Sequence, residues 1–468
     1  MTDALWRKGA LELAGMISRR EVTSREVVQA HLDRIDEVNP KLNAVVRRLD
    51  ASALAAADEA DAAVAAGAPL GALHGVPVTV KENIDVAGTP TTQAVVALAE
   101  AVSPLDAPLV ARVRAAGGIP VGRTNLPDLG LRVTTESSLH GNTHNPWHPT
   151  RTTGGSSGGE AAALASGMSP LGFGNDIGGS LRNPATCCGI ASIKPTPGVV
   201  PFGTLVPPED TGIAGQLMMT DGPMARHVAD VRAGLLAIAG AHERDHRSVP
   251  VQLVDHSAGR PLRVAVLADP PGGSTHPEVA AAIRSAGDAL AAAGHQVVEA
   301  VPPSFERSVE LWATILIAEI RANLPLLQMV MGEAGLRFLG FADEVFAHAD
   351  AASLMAAFAD RNRVAREWNT FLHEYDVLVL PTWAQPPFEL GFDIESVDNA
   401  RAVLELLRPV LPGNVLGLPG AVAPVGMADG TPVGAQVMAR RFADLTTLRA
   451  AEDLERHFGV MTPIDPRW

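Results

Sequence analysis

Residues 151–195 read RTTGGSSGGEAAALASGMSPLGFGNDIGGSLRNPATCCGIASIKP. Two serine-bearing glycine clusters, Gly154 to Gly159 and Gly178 to Ser180, are separated by a helix-like segment and a short apolar segment. Glycine lets the backbone approach another atom closely and take angles closed to other residues. Two such clusters in one stretch describe two backbone walls of one site, each carrying a hydroxyl. The chemistry they suggest is acyl transfer.

Each cluster has a rival reading. Gly154-Gly-Ser156-Ser-Gly158 matches the G-x-S-x-G nucleophile elbow, but that elbow follows an apolar strand. Here NPWHPTRTT precedes it and reads as loop, which disfavours a hydrolase of that type. Gly154 to Gly159 also has the spacing of a phosphate loop, with Glu160 where that motif needs lysine. A carboxylate there repels phosphate, although a glycine-rich helix start still suits an anion. In isolation GGSSGG is equally a structural turn. Asp176-Ile-Gly-Gly-Ser180 follows an apolar segment and can turn successive N–H groups toward one point, as a developing oxyanion requires.

A serine needs a base to attack at neutral pH. None of the 14 histidines sits in a context that marks it. His140, His144 and His148 are spaced by four, but Gly141, Asn145, Pro146 and Pro149 argue against the helix that would make them metal ligands. Lysine usage is more informative. Of 37 basic residues only Lys8, Lys41, Lys81 and Lys194 are lysines. Arginine does not deprotonate in a protein, whereas a buried lysine does. Lys81 ends the apolar run GVPVTV, and strand ends commonly carry catalytic groups in α/β folds. Its plainer reading is an ion pair with Glu82 or Asp85. No S-x-x-K pattern exists, because Leu5, Val38, Val78 and Ala191 stand three before the lysines.

The whole chain sets the frame. Its 468 residues are 47% hydrophobic, enough for a large core, and its net charge of −15 argues against nucleic acid and anionic membrane surfaces. No signal peptide or uninterrupted 18-residue apolar run is read. The two cysteines, Cys187 and Cys188, are neighbours, so no disulfide framework is expected and a cytoplasmic location fits. Thr23 to Glu26 reads as a capping box opening a helix to roughly Glu37. Helices are expected at 49–66, 106–116, 160–167 and 277–293, over much of 305–375, and at 445–458 with Asp444 as cap. Strands are expected at 75–80, 119–121, 171–174, 263–267, 296–299 and 377–380. Residues 420–425 and 432–439 read as strands paired around Asp429-Gly430. This alternation predicts an α/β sheet wrapped by helices, and the polar stretch 242–261 need not divide it.

With Lys81, GGSSGG and DIGGS in this order, the chain closely resembles the amidase signature family. Further matching segments are GVPVTVKENIDVAG (75–88), GRTNLPDLG (122–130), DGPMARHVADV (221–231), VLVLPT (377–382), LPGNVLGLPGAVAPVG (411–426) and PVGAQVMA (432–439). The resemblance implies a central mixed, twisted sheet with helices on both faces, in one domain over 1–468. Within it, N-terminal helices occupy 1–68 and a catalytic core 69–235. A variable, largely helical part occupies 236–375, and C-terminal strands and a helix occupy 376–468.

The resemblance also implies a Ser–cis-Ser–Lys triad: Ser180 as nucleophile, Ser156 as bridge after a cis Gly155–Ser156 peptide, and Lys81 as base. The amides of Ile177, Gly178, Gly179 and Ser180 map to the oxyanion hole. Gly155 and Ser157 map to supporting positions, and Asp176 with Arg182 to a bracing pair. Leu129, Gly130, Leu131 and Thr134 map to the substrate pocket, which the 200–220 loop and the 305–375 helices would complete. In that last segment Trp312, Met329, Met331, Leu336, Phe338 and Phe341 are candidates for pocket or core. Two positions depart from the family pattern: Asn175, where threonine or serine is common, and Arg123, where lysine is common.

The implied reaction is hydrolysis of a carbonyl–nitrogen bond through an acyl-enzyme, giving acid and amine. An amide is the foremost substrate, with anilide, carbamate (urethane) or ester variants. No metal or organic cofactor is implied, and the partner is a small-molecule substrate for a cytoplasmic monomer or homodimer. Three alternatives stay open: a glutamine-hydrolysing amidotransferase subunit, a phosphate- or nucleotide-binding module, and a catalytically silent relative, which the intact triad disfavours.

Overall fold

The computed structural model describes residues 4–206, 210–255, 257–462 and 464–468. Its strands, in chain order, are β1 (Val45–Arg48), β2 (Pro77–Lys81), β3 (Ile119–Thr124), β4 (Glu136–Ser137), β5 (Gly141–Asn142), β6 (Leu171–Asp176), β7 (Ala191–Lys194), β8 (Thr220–Ala225), β9 (Arg263–Val266), β10 (Gln296–Glu299), β11 (Val377–Pro381), β12 (Gly420–Ala428) and β13 (Thr431–Met438). Eleven of them form one sheet in the order β1-β3-β2-β6-β8-β7-β12-β13-β11-β9-β10, and β4 pairs with β5 separately. The sheet is mixed: β2 runs parallel to β3 and β6, while β8 is antiparallel to β6 and β7. Strands from both sides of 242–261 belong to this sheet, so that polar stretch does not interrupt it.

Both faces of the sheet are covered. Along β11, Val377 and Val379 join one apolar cluster while Leu378 and Leu380 join another, as the two-residue period of a strand requires. A strand buried on both faces reads as a continuous apolar run rather than an alternating one. VLVLP is such a run; β2 and β6 are also wholly buried, but carry the polar residues Thr79, Lys81, Asn175 and Asp176.

Local signals place most elements. Thr23 forms the expected capping box with Glu26, and the helix it opens runs Ser24–Leu42, past Glu37. The helix Asp50–Ala66 stops at Gly67 in the left-handed region. Residues 305–375 form three helices, Phe305–Val330, Glu333–Val345 and Ala351–Glu374. The 26-residue helix Phe305–Val330 is long and apolar enough, by length and composition, to cross a membrane, although no uninterrupted apolar run marks it. Its Leu311, Trp312, Ile315 and Leu316 are packed into the protein's second apolar cluster.

One cap expectation is corrected. Asp444 is the first residue of the helix Asp444–Phe458 and makes no capping bond to it. Its carboxylate instead accepts from the backbone N–H and the hydroxyl of Thr196, both at 2.8 Å.

Candidate active site

Pairing of β2 with β6 sets the geometry. Val78 faces Leu171 and Val80 faces Phe173, so Lys81 lies beside the C-terminal end of β6. The Lys81 side chain is fully buried. Its Nζ donates to Ser156 Oγ at 2.7 Å and to Asn175 Oδ1 at 2.7 Å. Neither expected ion pair forms. Glu82 accepts from Thr92 at 2.7 Å and lies 2.6 Å from His140 Nε2, and Asp85 accepts the Leu205 N–H at 2.7 Å.

Burial pushes the Lys81 amine down to about 7, opposed by the charges of Asp176, Asp221 and Glu160. Two of those carboxyls are themselves shifted. Burial lifts Glu160 and Asp221 each to about 7. Glu160 is bonded by Thr79 and, at 2.7 Å, by Thr124. Asp221 stands opposite Asn175 in the β6–β8 ladder, and its Oδ1 has no hydrogen-bond partner among the described residues. Asn175, a departure noted in the sequence, therefore supplies Lys81 with a neutral oxygen where a carboxylate would hold the amine charged. Asn175 Nδ2 donates in turn to Asn83 Oδ1 at 3.0 Å.

The two glycine clusters meet. Ser156 follows a cis Gly155–Ser156 peptide and closely precedes the helix Gly158–Ala165. The Ser157 N–H donates to Ser180 O at 3.2 Å, binding the first cluster to the second. Ser180 Oγ makes no hydrogen bond with any described residue, and Ser180 lines a narrow cavity of about 70 Å³.

Asp176 organises the turn that carries Ser180. Its carboxylate accepts the Gly179 N–H at 2.7 Å and the Leu181 N–H at 3.2 Å. Arg182 grips both of its oxygens, Nε at 2.9 Å and a terminal nitrogen at 3.0 Å. The Arg182 guanidinium holds the Asp176 carboxyl well below the usual carboxylate range against the opposing effect of burial. These bonds revise the expected oxyanion hole. The Gly179 amide is committed to Asp176, which leaves the N–H groups of Ile177, Gly178 and Ser180 without an acceptor among the described residues.

Three residues whose contacts the motifs do not announce also hold this turn. Asn414 Nδ2 donates to Asp176 Oδ1 at 2.8 Å, and Gln436 accepts from Arg182 at 2.5 Å. Trp312 Nε1 donates to the Ile177 carbonyl at 2.8 Å. A Cβ on Gly178 would lie 2.6 Å from the Trp312 ring, so only glycine admits the indole this close. Gly179 sits at φ +98°, where glycine alone is unstrained.

The cavity beside Ser180 is apolar. Leu131, Val133, Leu316, Phe338, Leu339 and Leu407 line it together with Trp312. Its one charged side chain, Arg132, is neutralised: Asp393 takes it at 2.6 and 2.9 Å and Glu136 at 2.5 Å.

Of the four expected pocket residues, Gly130 and Leu131 line the cavity. Leu129 packs against the second apolar cluster instead, and the buried Thr134 accepts a hydrogen bond from Thr152 at 2.7 Å. From the 305–375 segment Trp312 and Phe338 reach the cavity, Met331, Leu336 and Phe341 are packed in the cluster, and Met329 is exposed. No described residue of 200–220 lines it, and residues 207–209 of that loop lie outside the described residues.

The spaced histidines turn to different partners, His140 to Glu82 and His144 to Pro149. Cys187 and Cys188 are free and buried, and burial raises both thiols.

Comparison with known proteins finds relatives over nearly the whole chain. The family model described as Amidase matches residues 26–448. The chain is 39% identical to the indoleacetamide hydrolase of Bradyrhizobium diazoefficiens, over 98% of this chain and 88% of that protein. It is 35% identical to the acylamidase of Rhodococcus erythropolis, over 95% of this chain and 94% of that protein. A glutamyl-tRNA(Gln) amidotransferase component of Salinispora arenicola is 36% identical over 99% of each. The solved structure of 6-aminohexanoate cyclic dimer hydrolase complexed with substrate superposes with a TM-score of 0.85 at 29% identity, covering 99% of each chain. Fold, matched residues and relatives agree: the chain belongs to the amidase signature family and is a hydrolase of carbon–nitrogen bonds.

Proposed function

We propose that Ser180 is the nucleophile, Ser156 the proton bridge and Lys81 the base of an amidase whose substrates carry an apolar acyl group. The observation that carries this reading is the Lys81 amine, buried without a carboxylate partner and 2.7 Å from Ser156 Oγ. At neutral pH about half of a group titrating near 7 is the free amine that a base must be.

In the proposed cycle Lys81 takes a proton from Ser156 as Ser156 takes one from Ser180. Ser180 Oγ attacks the carbonyl carbon. The oxyanion is received by the amides of Ile177, Gly178 and Ser180, preorganised dipoles that need no reorientation as charge develops. The proton returns through Ser156 to the leaving nitrogen, the C–N bond breaks, and the amine departs. Water then attacks the ester on Ser180 by the same relay and releases the acid. The relay as drawn requires the Ser180 hydroxyl to turn toward Ser156.

The apolar lining supports an aryl, arylalkyl or alkyl carbonyl at this site, as an amide, anilide or carbamate. It also weighs against the glutaminase alternative. Free glutamine would bring its α-ammonium and α-carboxylate, and Arg132 is already held by Asp393 and Glu136. We place the enzyme among cytoplasmic proteins acting on small molecules, as a monomer or homodimer.

The test is Ser180→Ala. Turnover of arylalkyl amides and covalent labelling by a fluorophosphonate should both disappear, while a panel of amide, anilide and carbamate substrates ranks the acyl preference of the parent enzyme. A purified Ser180→Ala protein with normal turnover would refute the assignment.

A further inference from the structure

A second cavity, of about 340 Å³, shares no lining residue with the acyl cavity. Pro197, Val200, Met219, Thr220 and Gly417 form part of its wall. Its character is set by charge. Three arginines line it, Arg247, Arg361 and Arg441, with His246, against the single acidic residue Asp245.

That carboxylate is fully engaged. Asp245 accepts the Phe202 N–H at 2.9 Å, the Arg247 N–H at 3.0 Å and Arg247 Nε at 3.1 Å. Arg361 donates Nε to Val415 O at 2.5 Å, and its terminal nitrogens have no acceptor among the described residues. Arg441 donates to no described residue. The carboxylate nearest in sequence, Asp444, is held by Thr196. Burial lowers both guanidinium groups, Arg441 lowers Arg361 further, and the charge of Asp444 opposes the shift at Arg441. Two like charges thus face one hollow in a chain whose net charge is −15.

Arg361 is half-buried and Arg441 exposed, and like charges gathered at one hollow repel one another until an anion joins them. The guanidinium group offers parallel N–H donors whose spacing matches the oxygens of a carboxylate or a phosphate. We propose that this cavity is an anion-binding site that seats a small carboxylate or phosphate between Arg361 and Arg441.

Its place in the fold connects it to the reactive turn. Thr220, in its wall, faces Asp176 across β8 and β6. Asn414, three residues before Gly417, bonds Asp176 at 2.8 Å and also donates to Met218 O at 3.2 Å. An anion here sits one strand from the carboxylate that holds the Gly179 amide. The inference uses none of the triad residues, so it stands or falls separately from the proposed function.

The test is isothermal titration of the full chain at low ionic strength, where exposed charge is least screened. Inorganic phosphate and succinate are titrated separately. One site per chain is expected, weakened by added sodium chloride. Tighter binding of phosphate assigns a phosphoryl ligand, and tighter binding of succinate a carboxylate. Arg441→Gln should weaken the better titrant at least tenfold, and Arg361→Gln with Arg441→Gln should abolish binding. Arg441 makes no hydrogen bond with any described residue, so Arg441→Gln should melt and hydrolyse amides as the parent does. Equal binding by the parent and Arg441→Gln, or no binding of either anion up to about 10 mM, an affinity worth under 3 kcal/mol, would overturn the site.

Discussion

Replacing Trp312 by phenylalanine separates two jobs that one indole performs. The ring helps to wall the acyl cavity, and Nε1 donates to the Ile177 carbonyl at 2.8 Å. In a trans peptide the C=O and the following N–H point in opposite directions. Anchoring the Ile177 carbonyl therefore aims the Gly178 N–H the other way. Trp312→Phe keeps an aromatic ring and removes the anchor. A carbonyl deprived of its donor in a buried place costs about 1–3 kcal/mol, and the peptide can relieve that cost by turning.

Full loss of an oxyanion donor lowers kcat by about 10²–10³, which bounds the effect from above. A misaimed but present donor should cost roughly 1.4–2.7 kcal/mol, a fall in kcat of about 10- to 100-fold. KM for a small acyl amide should change by less than about threefold, because an interaction made only in the transition state leaves ground-state binding alone. Steady-state kinetics on that amide and inhibition by a trifluoromethyl ketone measure both parts. The ketone's tetrahedral adduct places an oxyanion in the hole, so its affinity should fall in step with kcat/KM. A variant that folds normally, keeps kcat within twofold and binds the ketone as tightly as the parent would refute the reasoning.

Other perturbations have equally definite outcomes. Because burial holds Lys81 near 7 and the neutral amine is the proposed base, kcat/KM should rise with pH through about 7 as one proton is lost. Asp221 favours the charged amine, so Asp221→Asn should move this acid limb to lower pH; a limb that stays or climbs contradicts the electrostatics. Asn175→Asp places a carboxylate where the neutral Oδ1 now lies 2.7 Å from Nζ, and the same limb should move to higher pH. Arg132→Met leaves the fully buried Asp393 without its cation, a loss of about 3–5 kcal/mol, readable as a lower unfolding midpoint.

What is legible in the sequence follows from how locally each feature is encoded. Lys81 is marked by scarcity and by the apolar run before it, and Ser156 and Ser180 by glycine. The paired strands around Asp429-Gly430 are marked by a turn with φ +45° and +72° at those two residues. Three strands of the large sheet carry no such mark. β1 is VVRR and β7 is ASIK, each too short to show a period, and β8 is TDGPMA, whose glycine and proline argue against a strand. Asn414 and Gln436 lie 238 and 254 residues from their partners Asp176 and Arg182, and no local pattern announces such contacts. Trp312 stands out in the sequence as a candidate for pocket or core, but its bond to the oxyanion turn does not, for the same reason. Asp444 fails as a cap because a tertiary partner, Thr196, competes successfully for its carboxylate.

Lys81, Ser156 and Ser180, the proposed reactive groups, stand on a strand end and on glycine turns, whereas much of the cavity beside Ser180 comes from Phe305–Val330, Glu333–Val345 and the leucines at 404 and 407. Selectivity can thus drift during evolution through exchanges at Leu316, Ile320 or Phe338 while the chemistry is inherited intact. Position 312 is different. A change there alters the shape of the cavity and the aim of the amide proposed as an oxyanion donor together, so lineages adapting to bulkier acids should vary its neighbours first and the indole last.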